Sequence, residues 1–436
     1  MLPLLTVLLG CSSSCSTTPK EPDVVLVIID TLRADALGFA GSERDTSPNL
    51  DALSSEFTWF SRAYSTSSWT LPATASILTG LHPFEHRVVR DGLKPDLFGR
   101  LDPTLETLAE VYKKKGYRTG AFINNAYLAP DFGLNQGFET YDYQGAGPIG
   151  HRTAMVTVEQ ALSWLNSESE PTFLMIHIME PHADYEPAEP FKGRFTNGLP
   201  TGLKLPLGEL IGQMIERRVE LSDEDKAFVR AAYDEEVLSA DAAVGALVDG
   251  LKSSGRFDRA MMAITSDHGE EFWDFGGYEH GHTTMTPVTQ VPLLLKIPDV
   301  VAGENATVVS LTGLFGALSN QTGPITDFAR RGVDDTTQIA MFEDILYGPP
   351  QISVISNDLR LQINPVESQM AIFELDETGR ETQDVSHDPE QRKHSQALNE
   401  YVRTLRKNLG PIKAFDPIRV QDFSDFEKLR ALGYAD

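Results

Sequence analysis

The sequence predicts an α/β protein with a large layered domain built on a parallel sheet, followed by a small α+β domain. Two continuous apolar runs, residues 24–29 and 259–265, are typical of strands buried on both faces of a sheet. The chain between them alternates between helical and strand patterns. After about Gln351 the pattern changes to short strands and one helix. These three observations set the fold class.

The elements between the two apolar runs have recognisable start signals. Helices are predicted after Ser47-Pro48, from Pro72 and over residues 105–115, and a strand over residues 172–177. A capping-box pattern at Ser222 predicts a helix that continues, with or without a break, to residue 251. Residues 193–221 show no alternation of apolar and polar residues typical of a strand, so we expect a long loop over the face of the domain that carries the active site.

The C-terminal part has a different texture. Strands are predicted over residues 352–355, 359–363 and 370–375, and a helix over residues 391–405. We therefore divide the chain into a leader and tether at residues 1–22, a main domain at residues 23–345 and a small α+β domain at residues 346–436.

Charge excludes one class of partner. The 436 residues include 37 Lys plus Arg and 63 Asp plus Glu, a net charge of −26 that is spread along the chain. A nucleic-acid surface needs a basic footprint, so we expect no nucleic-acid partner. An acidic protein also repels anionic ligands unless a local cation reverses the field, and a bound metal ion would do so.

Both cysteines, Cys11 and Cys15, lie near the start of the chain. The rest of the chain therefore has no thiol for a disulfide, a zinc site or a nucleophile. Apolar residues 2–9, followed by Gly10 and Cys11, resemble a bacterial lipoprotein processing box and are too few to span a bilayer. The run lacks the basic start of a signal peptide, which also fits a chance match or a start codon placed too late. We expect a lipid on Cys11 as the only membrane contact, and a location in the bacterial cell envelope.

A hydroxyl group stands at a predicted helix start. Pro72 suits the first helical position, which would put Thr70 at the helix N-terminus. Unpaired amides and the helix dipole favour an anion there. Thr70 could thus meet a bound phosphoryl or sulfuryl group, although a plain helix cap explains this segment equally well when it is considered alone.

Acidic and imidazole side chains follow the two apolar runs. Asp30 comes after the first run, and Asp267 and His268 come after the second. The carboxyl ends of parallel strands meet at one edge of a sheet, where ligands bind. Such ligands suit a divalent cation, for example zinc, calcium or manganese, which lowers the pKa of a hydroxyl and neutralises a transferring group. A strand-end turn and a structural histidine are the simpler explanations for Asp30 and His268.

Histidines are concentrated in a few segments. Half of the ten histidines fall in three short polar stretches, around residues 177–182, 268 and 280–282. Any one of them is about as often a surface or core residue as a ligand. The side chains of interest in the first and last stretches are Glu180, His182, His280 and His282.

Several segments resemble, in order, the motifs of the sulfatase family. They are residues 27–35 (VIIDTLRAD), 46–53 (TSPNLDAL), 67–83 (SSWTLPATASILTGLHP), 180–182 (EPH), 265–270 (TSDHGE), 280–282 (HGH), 291–292 (VP) and 429–434 (LRALGY). The resemblance extends from about Pro22 to the C-terminus. It implies an alkaline-phosphatase-like three-layer sandwich with a small α+β C-terminal domain.

The chain departs from the family pattern at five positions. Thr70 stands where sulfatases carry the cysteine or serine that becomes formylglycine, and threonine cannot give that aldehyde. Thr74 replaces an arginine, and Thr31 replaces a second metal-binding aspartate. Asn124 and Asn125 stand where the family has the lysine and histidine that hold sulfate, which makes them possible substrate-binding or second-metal residues. The positive cradle of a sulfatase is therefore largely missing.

A threonine nucleophile on this fold is similar instead to the phosphodiesterases, phosphonate hydrolases and threonine-type phosphatases of the same superfamily. The resemblance implies that Thr70 attacks phosphorus. The implied metal ligands are Asp30, Thr70, Asp267 and His268. The implied candidates for a second metal, leaving-group protonation or anion binding are Glu180, His182, His280 and His282, of which His182 and His282 are the main catalytic candidates.

We therefore expect a metal-dependent hydrolase of phosphate mono- or diesters, with one or two divalent metals and an anionic ester as substrate. Three alternatives remain open. The first is a sulfatase that acts on a sulfated glycan or aryl sulfate through an unmodified hydroxyl. The second is a transferase that moves a phospho-alcohol headgroup onto a glycan or lipid. The third is an inactive binding protein, which the retained metal set disfavours.

Overall fold

The computed structural model describes residues 21–91, 94, 96–143, 152–297, 301–319, 339–343, 345–367, 369–408 and 417–423. The predicted lipid site at Cys11 and the motif at residues 429–434 lie outside these ranges. Within them, none of the helices combines the length and the apolar character needed to cross a membrane.

The described chain alternates between strands and helices. The strands are, in chain order, β1 (Val24–Ile29), β2 (Thr58–Phe60), β3 (Ala63–Tyr64), β4 (Leu97–Phe98), β5 (Arg118–Phe122), β6 (Thr140–Asp142), β7 (Thr172–Ile178), β8 (Met261–Thr265), β9 (Glu271–Phe272), β10 (Tyr278–Glu279), β11 (Leu293–Lys296), β12 (Gly303–Asn305), β13 (Val309–Ser310), β14 (Ile339–Glu343), β15 (Ile352–Ser356), β16 (Leu359–Asn364), β17 (Gln369–Leu375), β18 (Glu381–Asp384) and β19 (Ile418–Arg419). The α-helices are α1 (Pro48–Ser54), α2 (Thr70–Thr79), α3 (Pro83–His86), α4 (Leu108–Lys114), α5 (Ala154–Asn166), α6 (Glu209–Ile215), α7 (Asp223–Ser253), α8 (Thr286–Thr289), α9 (Gly313–Ser319) and α10 (Pro389–Asn408).

An eight-stranded sheet forms the centre of the main domain, in the order β12-β2-β11-β8-β1-β7-β5-β6. Strands β8, β1, β7, β5 and β6 are mutually parallel, whereas β11 runs antiparallel to both β8 and β2. The parallel arrangement brings the carboxyl ends of β1, β7 and β8 side by side.

Helices cover both faces of this sheet. Alternate residues of β1 belong to two separate hydrophobic clusters, because successive side chains of a strand point to opposite faces. Val24, Leu26 and Ile28 pack with α2, α4 and α9, whereas Val25, Val27 and Ile29 pack with α1, α5 and α7. The result is a three-layer sandwich.

The main predicted elements are present, with shifts at their ends. Strand β1 has the predicted bounds, β7 is one residue longer, and β8 begins at Met261 rather than at residue 259. Helix α7 runs unbroken from Asp223 to Ser253, and the Ser222 hydroxyl accepts a hydrogen bond of 3.1 Å from the Asp225 amide. The excursion over residues 193–221 contains the single helix α6.

A five-stranded antiparallel sheet, in the order β14-β15-β16-β17-β18, forms the small domain. Helix α10 packs on it through Leu398 and Val402. Strand β14 of this sheet ends at Glu343, so the small domain begins before residue 346, where the sequence analysis placed its boundary. The strongest local turn signal, Gly348-Pro349-Pro350, follows β14 instead of preceding it, and this explains why the predicted boundary falls too late in the chain.

A buried arginine joins the small domain to the main one. Arg360 of β16 is fully buried. It donates to the Thr284 carbonyl and to the Thr286 hydroxyl (3.0 Å), and it pairs with Glu381 at 2.6 Å. These contacts fix the start of α8, directly after the histidine-rich segment at residues 280–282.

Candidate active site

Three buried side chains meet at the carboxyl edge of the central sheet. Asp30 directly follows β1, His177 is near the end of β7, and Asp267 follows β8. The Asp30 amide donates to the Ile178 carbonyl at 2.9 Å, which continues the pairing of β1 and β7. All three side chains are fully buried. The sheet therefore brings Asp30 and Asp267 together at the ends of β1 and β8, where the sequence predicted them, and it adds His177.

The geometry of this group fits a metal ion. His177 Nε2 lies 3.7 Å from Asp30 Oδ2 and 3.7 Å from Asp267 Oδ2, and ligand atoms of all three lie within 4.8 Å of one another. Asp30 Oδ1, Asp267 Oδ2 and both ring nitrogens of His177 make no hydrogen bond with the described residues. Such buried polar atoms are costly without a partner. Carboxylate and imidazole donors suit a divalent cation, so the residues present fit one.

Electrostatics support the same interpretation. Burial, together with the neighbouring Asp267, raises the pKa of Asp30 well above its usual range. Burial opposes ionisation of Asp267 as well, but His268 and His177 bring the pKa of that carboxyl to about 2. A divalent cation between the two carboxyl groups would favour the ionised form of both.

His268 faces the same group. Its Nδ1 lies 2.9 Å from the Gly269 carbonyl, and its Nε2 lies 3.5 Å from Asp30 Oδ1 and 3.8 Å from Asp267 Oδ2. Burial lowers the pKa of His268 to about 3. The imidazole is therefore neutral near pH 7, the form that offers a lone pair to a metal or a proton.

The Thr70 hydroxyl points into the site. Helix α2 begins at Thr70, with Trp69 as its N-cap. Pro72 therefore occupies the third helical position, whereas the sequence analysis placed it at the first. The Trp69 side chain makes no capping hydrogen bond. Thr70 Oγ1 lies 3.4 Å from His268 Nε2 and 3.3 Å from Asn125 Nδ2. The hydroxyl thus faces the candidate metal ligands, which a plain cap does not explain.

The two predicted asparagines have different surroundings. Asn125 Nδ2 donates to Asp30 Oδ2 at 2.6 Å, and Asn125 Oδ1 accepts from the Tyr127 amide at 2.8 Å, which fixes the orientation of the side-chain amide. Asn124 instead donates to the Arg152 carbonyl at 2.9 Å and to the Thr157 hydroxyl at 2.7 Å. Successive residues in an extended chain point in opposite directions, so Asn125 contacts Asp30 and Thr70, whereas Asn124 bonds to Arg152 and Thr157.

Two of the predicted histidines line one side of the site. The His280 ring lies 4.4 Å from the His268 ring and 5.0 Å from the His182 ring, measured between centroids. His280 Nδ1 is 3.0 Å from Glu270 Oε1, so its other nitrogen is turned away from that carboxyl group. Burial raises the pKa of Glu270 to about 8 although His182, His282 and Arg33 act against this.

Glu180 and His282 have structural contacts instead. Glu180 Oε1 accepts from the Ala154 amide at 2.8 Å, at the start of α5. His282 Nε2 lies 2.8 Å from Glu271 Oε2, and its Nδ1 lies 3.4 Å from the His280 carbonyl. Both nitrogens of His282 therefore lie near oxygen atoms of the protein. Among the described residues, Asp30, His177 and Asp267 form the one group of three whose ligand atoms are spaced to hold a metal.

Sequence reasoning missed His177 as a ligand. The sequence placed it in a histidine-rich segment but gave no reason to separate it from its neighbours. The usable signal was its place inside an apolar strand, where all seven residues of β7 are buried. A polar ring in such a strand needs a partner, and the carboxylates of Asp30 and Asp267, which follow the neighbouring strands, lie 3.7 Å from its Nε2.

Comparisons with known proteins agree with this geometry. The family model described as Sulfatase matches residues 22–324. The chain is 23% identical over 337 residues to the ulvan-active sulfatase of Formosa agariphila, a match that covers 69% of the chain and 62% of that relative. The chain thus spans less than two thirds of the length of this relative.

Two solved structures share the architecture. The phosphonate monoester hydrolase of Agrobacterium radiobacter has a TM-score of 0.69 at 18% identity, covering 92% of this chain and 99% of the other. The phosphonate monoester hydrolase of Silicibacter pomeroyi has a TM-score of 0.67 at 20% identity, covering 89% and 96%. The predicted fold class, an alkaline-phosphatase-like three-layer sandwich with a small α+β C-terminal domain, is confirmed.

Proposed function

The chain belongs to the sulfatase family, and we propose that it is a metal-dependent hydrolase of phosphate mono- or diesters with Thr70 as the nucleophile. One observation carries this proposal. The Thr70 hydroxyl lies 3.4 Å from His268 Nε2 and 3.3 Å from Asn125 Nδ2, beside Asp30, and does not cap its helix. A buried hydroxyl in contact with a neutral imidazole and next to orphaned carboxylate oxygens is arranged for activation.

The residues that would hold the cation are Asp30, Asp267, His268 and Thr70, to which the structure adds His177. A divalent cation bound there supplies positive charge that lowers the pKa of a hydroxyl and offsets the charge of an anionic ester. Asn125 holds one oxygen of Asp30 and fixes the Thr70 hydroxyl at the same time. These contacts limit the rotation of the attacking oxygen.

In the proposed reaction, Thr70 Oγ1 gives up its proton to solvent and forms a bond to phosphorus, while the bond from phosphorus to the leaving alcohol oxygen breaks. The leaving oxygen takes up one proton from solvent in exchange, on the side of the site where the His280 and His182 rings lie. Water then cleaves the phosphothreonine, which releases phosphate or its monoester and restores the hydroxyl. The amides of the first turn of α2 favour the anion throughout.

Two sequence features favour phosphorus over sulfur. Residues 16–436 contain no cysteine, so the thiol precursor of formylglycine is absent there. Thr74 occupies the position of the family arginine, and its buried hydroxyl makes no hydrogen bond with the described residues. Sulfate esters remain the second candidate substrates, because the matched relative from Formosa agariphila is a sulfatase.

The experiment that tests this proposal is a metal-content assay coupled to a panel of nitrophenyl esters: phosphate monoester, phosphate diester, phosphonate and sulfate. We expect a phosphorus ester to give the highest kcat/KM, and chelation to remove activity that added divalent metal restores. Thr79→Ala is a matched control for Thr70→Ala, because among the described residues the Thr79 hydroxyl bonds the Ala75 carbonyl and the Leu81 amide, at the far end of α2. A preference for sulfate over every phosphorus ester would contradict the proposal.

A further inference from the structure

We infer that Arg33 is a positioning residue, which holds the two loops that carry the proposed metal ligands at a fixed separation and so sets the affinity of the site for a divalent cation. The inference rests on the metal site of the proposed function. The first loop follows β1 and carries Asp30, and the second follows β8 and carries Asp267 and His268. Arg33 lies on the first loop, three residues after Asp30.

The guanidinium of Arg33 joins the two loops. On its own loop, Nε and Nη2 donate to the two carboxylate oxygens of Asp35 at 2.8 and 2.7 Å. On the second loop, Nη1 donates to the Glu270 carbonyl at 2.9 Å and to one oxygen of Asp274 at 2.8 Å, and Nη2 donates to the other oxygen at 3.0 Å. Paired bonds between a guanidinium and a carboxylate fix direction as well as distance. The bridge therefore ends two residues after His268 on one branch, at Glu270.

The bridge leaves Arg33 nothing with which to bind a substrate. A guanidinium has five N–H donors, and all five are engaged by Asp35, Glu270 and Asp274. Arg33 is 6% exposed. Burial opposes ionisation of Asp35 and Asp274, yet the Arg33 guanidinium keeps the pKa of each carboxyl below its usual range. A buried cation between two carboxylates holds its geometry, because moving one partner leaves an unpaired charge.

The loop that Arg33 holds contains a strained residue next to a proposed ligand. Thr31, directly after Asp30, has a φ of 55°, in the left-handed region. A β-branched residue keeps this conformation only where the surrounding structure enforces it. The Tyr233 hydroxyl spans the residue, since it donates to the Thr31 carbonyl and accepts from the Arg33 amide, both at 2.9 Å. If the Arg33 side chain loses its anchor, the loop can relax at Thr31 and Asp30 moves with it.

A serine ties the same two loops together nearer to the ligands. Ser266 Oγ accepts from the Leu32 amide at 3.0 Å and donates to the His268 carbonyl. Ser266 and Arg33 thus join the loops at two separate points, which fixes their relative orientation as well as their distance. Contacts of this kind, which orient metal ligands without binding the metal, commonly change metal affinity by about 10–100-fold when they are lost.

Isothermal titration calorimetry of the full chain, freed of metal by chelation, tests the inference by measuring the dissociation constants for Zn²⁺, Mn²⁺ and Ca²⁺. Arg33→Lys keeps the positive charge but loses the paired bonds to Asp35 and Asp274. Asp274→Asn weakens the bridge from the second loop, at a side chain that is 29% exposed, so the core stays intact. Urea denaturation of the metal-free proteins measures the free energy of unfolding separately.

Arg256→Lys is the matched control, because Arg256 holds the opposite end of β1. Arg256 is 7% exposed, and its Nη1 donates to both oxygens of Asp23, directly before β1, at 2.9 Å. Its Nη2 donates to the Glu168 carbonyl at 2.7 Å. A role in stability alone would lower the free energy of unfolding in Arg33→Lys and in Arg256→Lys, and would change metal affinity in neither variant.

We expect Arg33→Lys and Asp274→Asn each to weaken the binding of the cation that the wild type binds most tightly by about 10-fold or more. The double variant should lose less affinity than the product of the two single effects, because both substitutions break the same bridge. Arg256→Lys should keep the wild-type dissociation constant. Wild-type metal affinity in Arg33→Lys and Asp274→Asn, or an equal loss in Arg256→Lys, would overturn the inference and leave the proposed function standing. If the wild type bound none of the three cations, the proposed function would fall together with the inference.

Discussion

The histidine that fixes the helix of Thr70 should make the fold sensitive to acid. His86 is 2% exposed, its ring lies 3.1 Å from the Ser76 hydroxyl of α2, and its Nδ1 accepts from the Val88 amide at 3.0 Å. Burial lowers the pKa of His86 to about 3, whereas the unfolded chain takes up this proton near pH 6.5. The unfolded state therefore binds more protons between these pH values, and stability is lost as the pH falls from 6.5 toward 3.

The magnitude follows from the two pKa values. The linkage between proton binding at His86 and folding lowers the free energy of unfolding by about 2 kcal/mol at pH 5 relative to pH 8, and by roughly 5 kcal/mol below pH 3. Urea denaturation at pH 8, 6.5 and 5 measures the free energy of unfolding at each pH. His86→Gln removes the titrating group. The free energy of unfolding of this variant should therefore fall between pH 8 and pH 5 by about 2 kcal/mol less than that of the wild type.

A second histidine provides the control. His394 is solvent-exposed on α10, so His394→Gln should keep the wild-type dependence on pH. Comparing differences between variants removes the contribution of the other groups that titrate in this range. If the wild type and His86→Gln lost the same stability between pH 8 and pH 5, the buried neutral histidine would not be the cause and the reasoning would be wrong.

Two further predictions concern the site itself. Asp267→Asn should lower bound metal and kcat/KM together by at least about 10–100-fold, because it removes a ligand oxygen, and it should leave the thermal unfolding transition in place. Atomic emission measures the metal content. Full metal content in this variant would show that the site is misplaced. Asn125→Ala should retain metal but lower kcat by about 10-fold or more, since the Thr70 hydroxyl and Asp30 lose the side-chain amide that donates to both. A wild-type kcat for this variant in steady-state kinetics would exclude the positioning role of Asn125.

The sequence predicted the sheet well because the signal there is local and strong. Residues 24–29 are all apolar and β-branched or leucine, and such a run has few alternatives to a buried strand. The capping residue Ser222 marked the start of α7 for a similar reason, since its hydroxyl meets an amide three residues later.

The site was only partly predictable because side-chain direction depends on tertiary structure. Asn124 and Asn125 are identical in type and adjacent in sequence, yet only Asn125 contacts Asp30. Glu180 looked like a ligand because it lies beside His182, but its carboxylate binds the first amide of α5. His177 was overlooked because its partners, Asp30 and Asp267, follow strands far away in the chain.

The central claim is that Thr70 forms a covalent bond to phosphorus. The most direct measurement is mass spectrometry of the peptide that contains Thr70, after rapid acid quenching of the metal-loaded protein during turnover of a slow phosphate ester. We predict a phosphoryl group on Thr70 in the wild type, and loss of both the adduct and of turnover, by about 10³-fold or more, in Thr70→Ala. Wild-type turnover by Thr70→Ala, with no phosphoryl group on this peptide in the wild type, would contradict the claim.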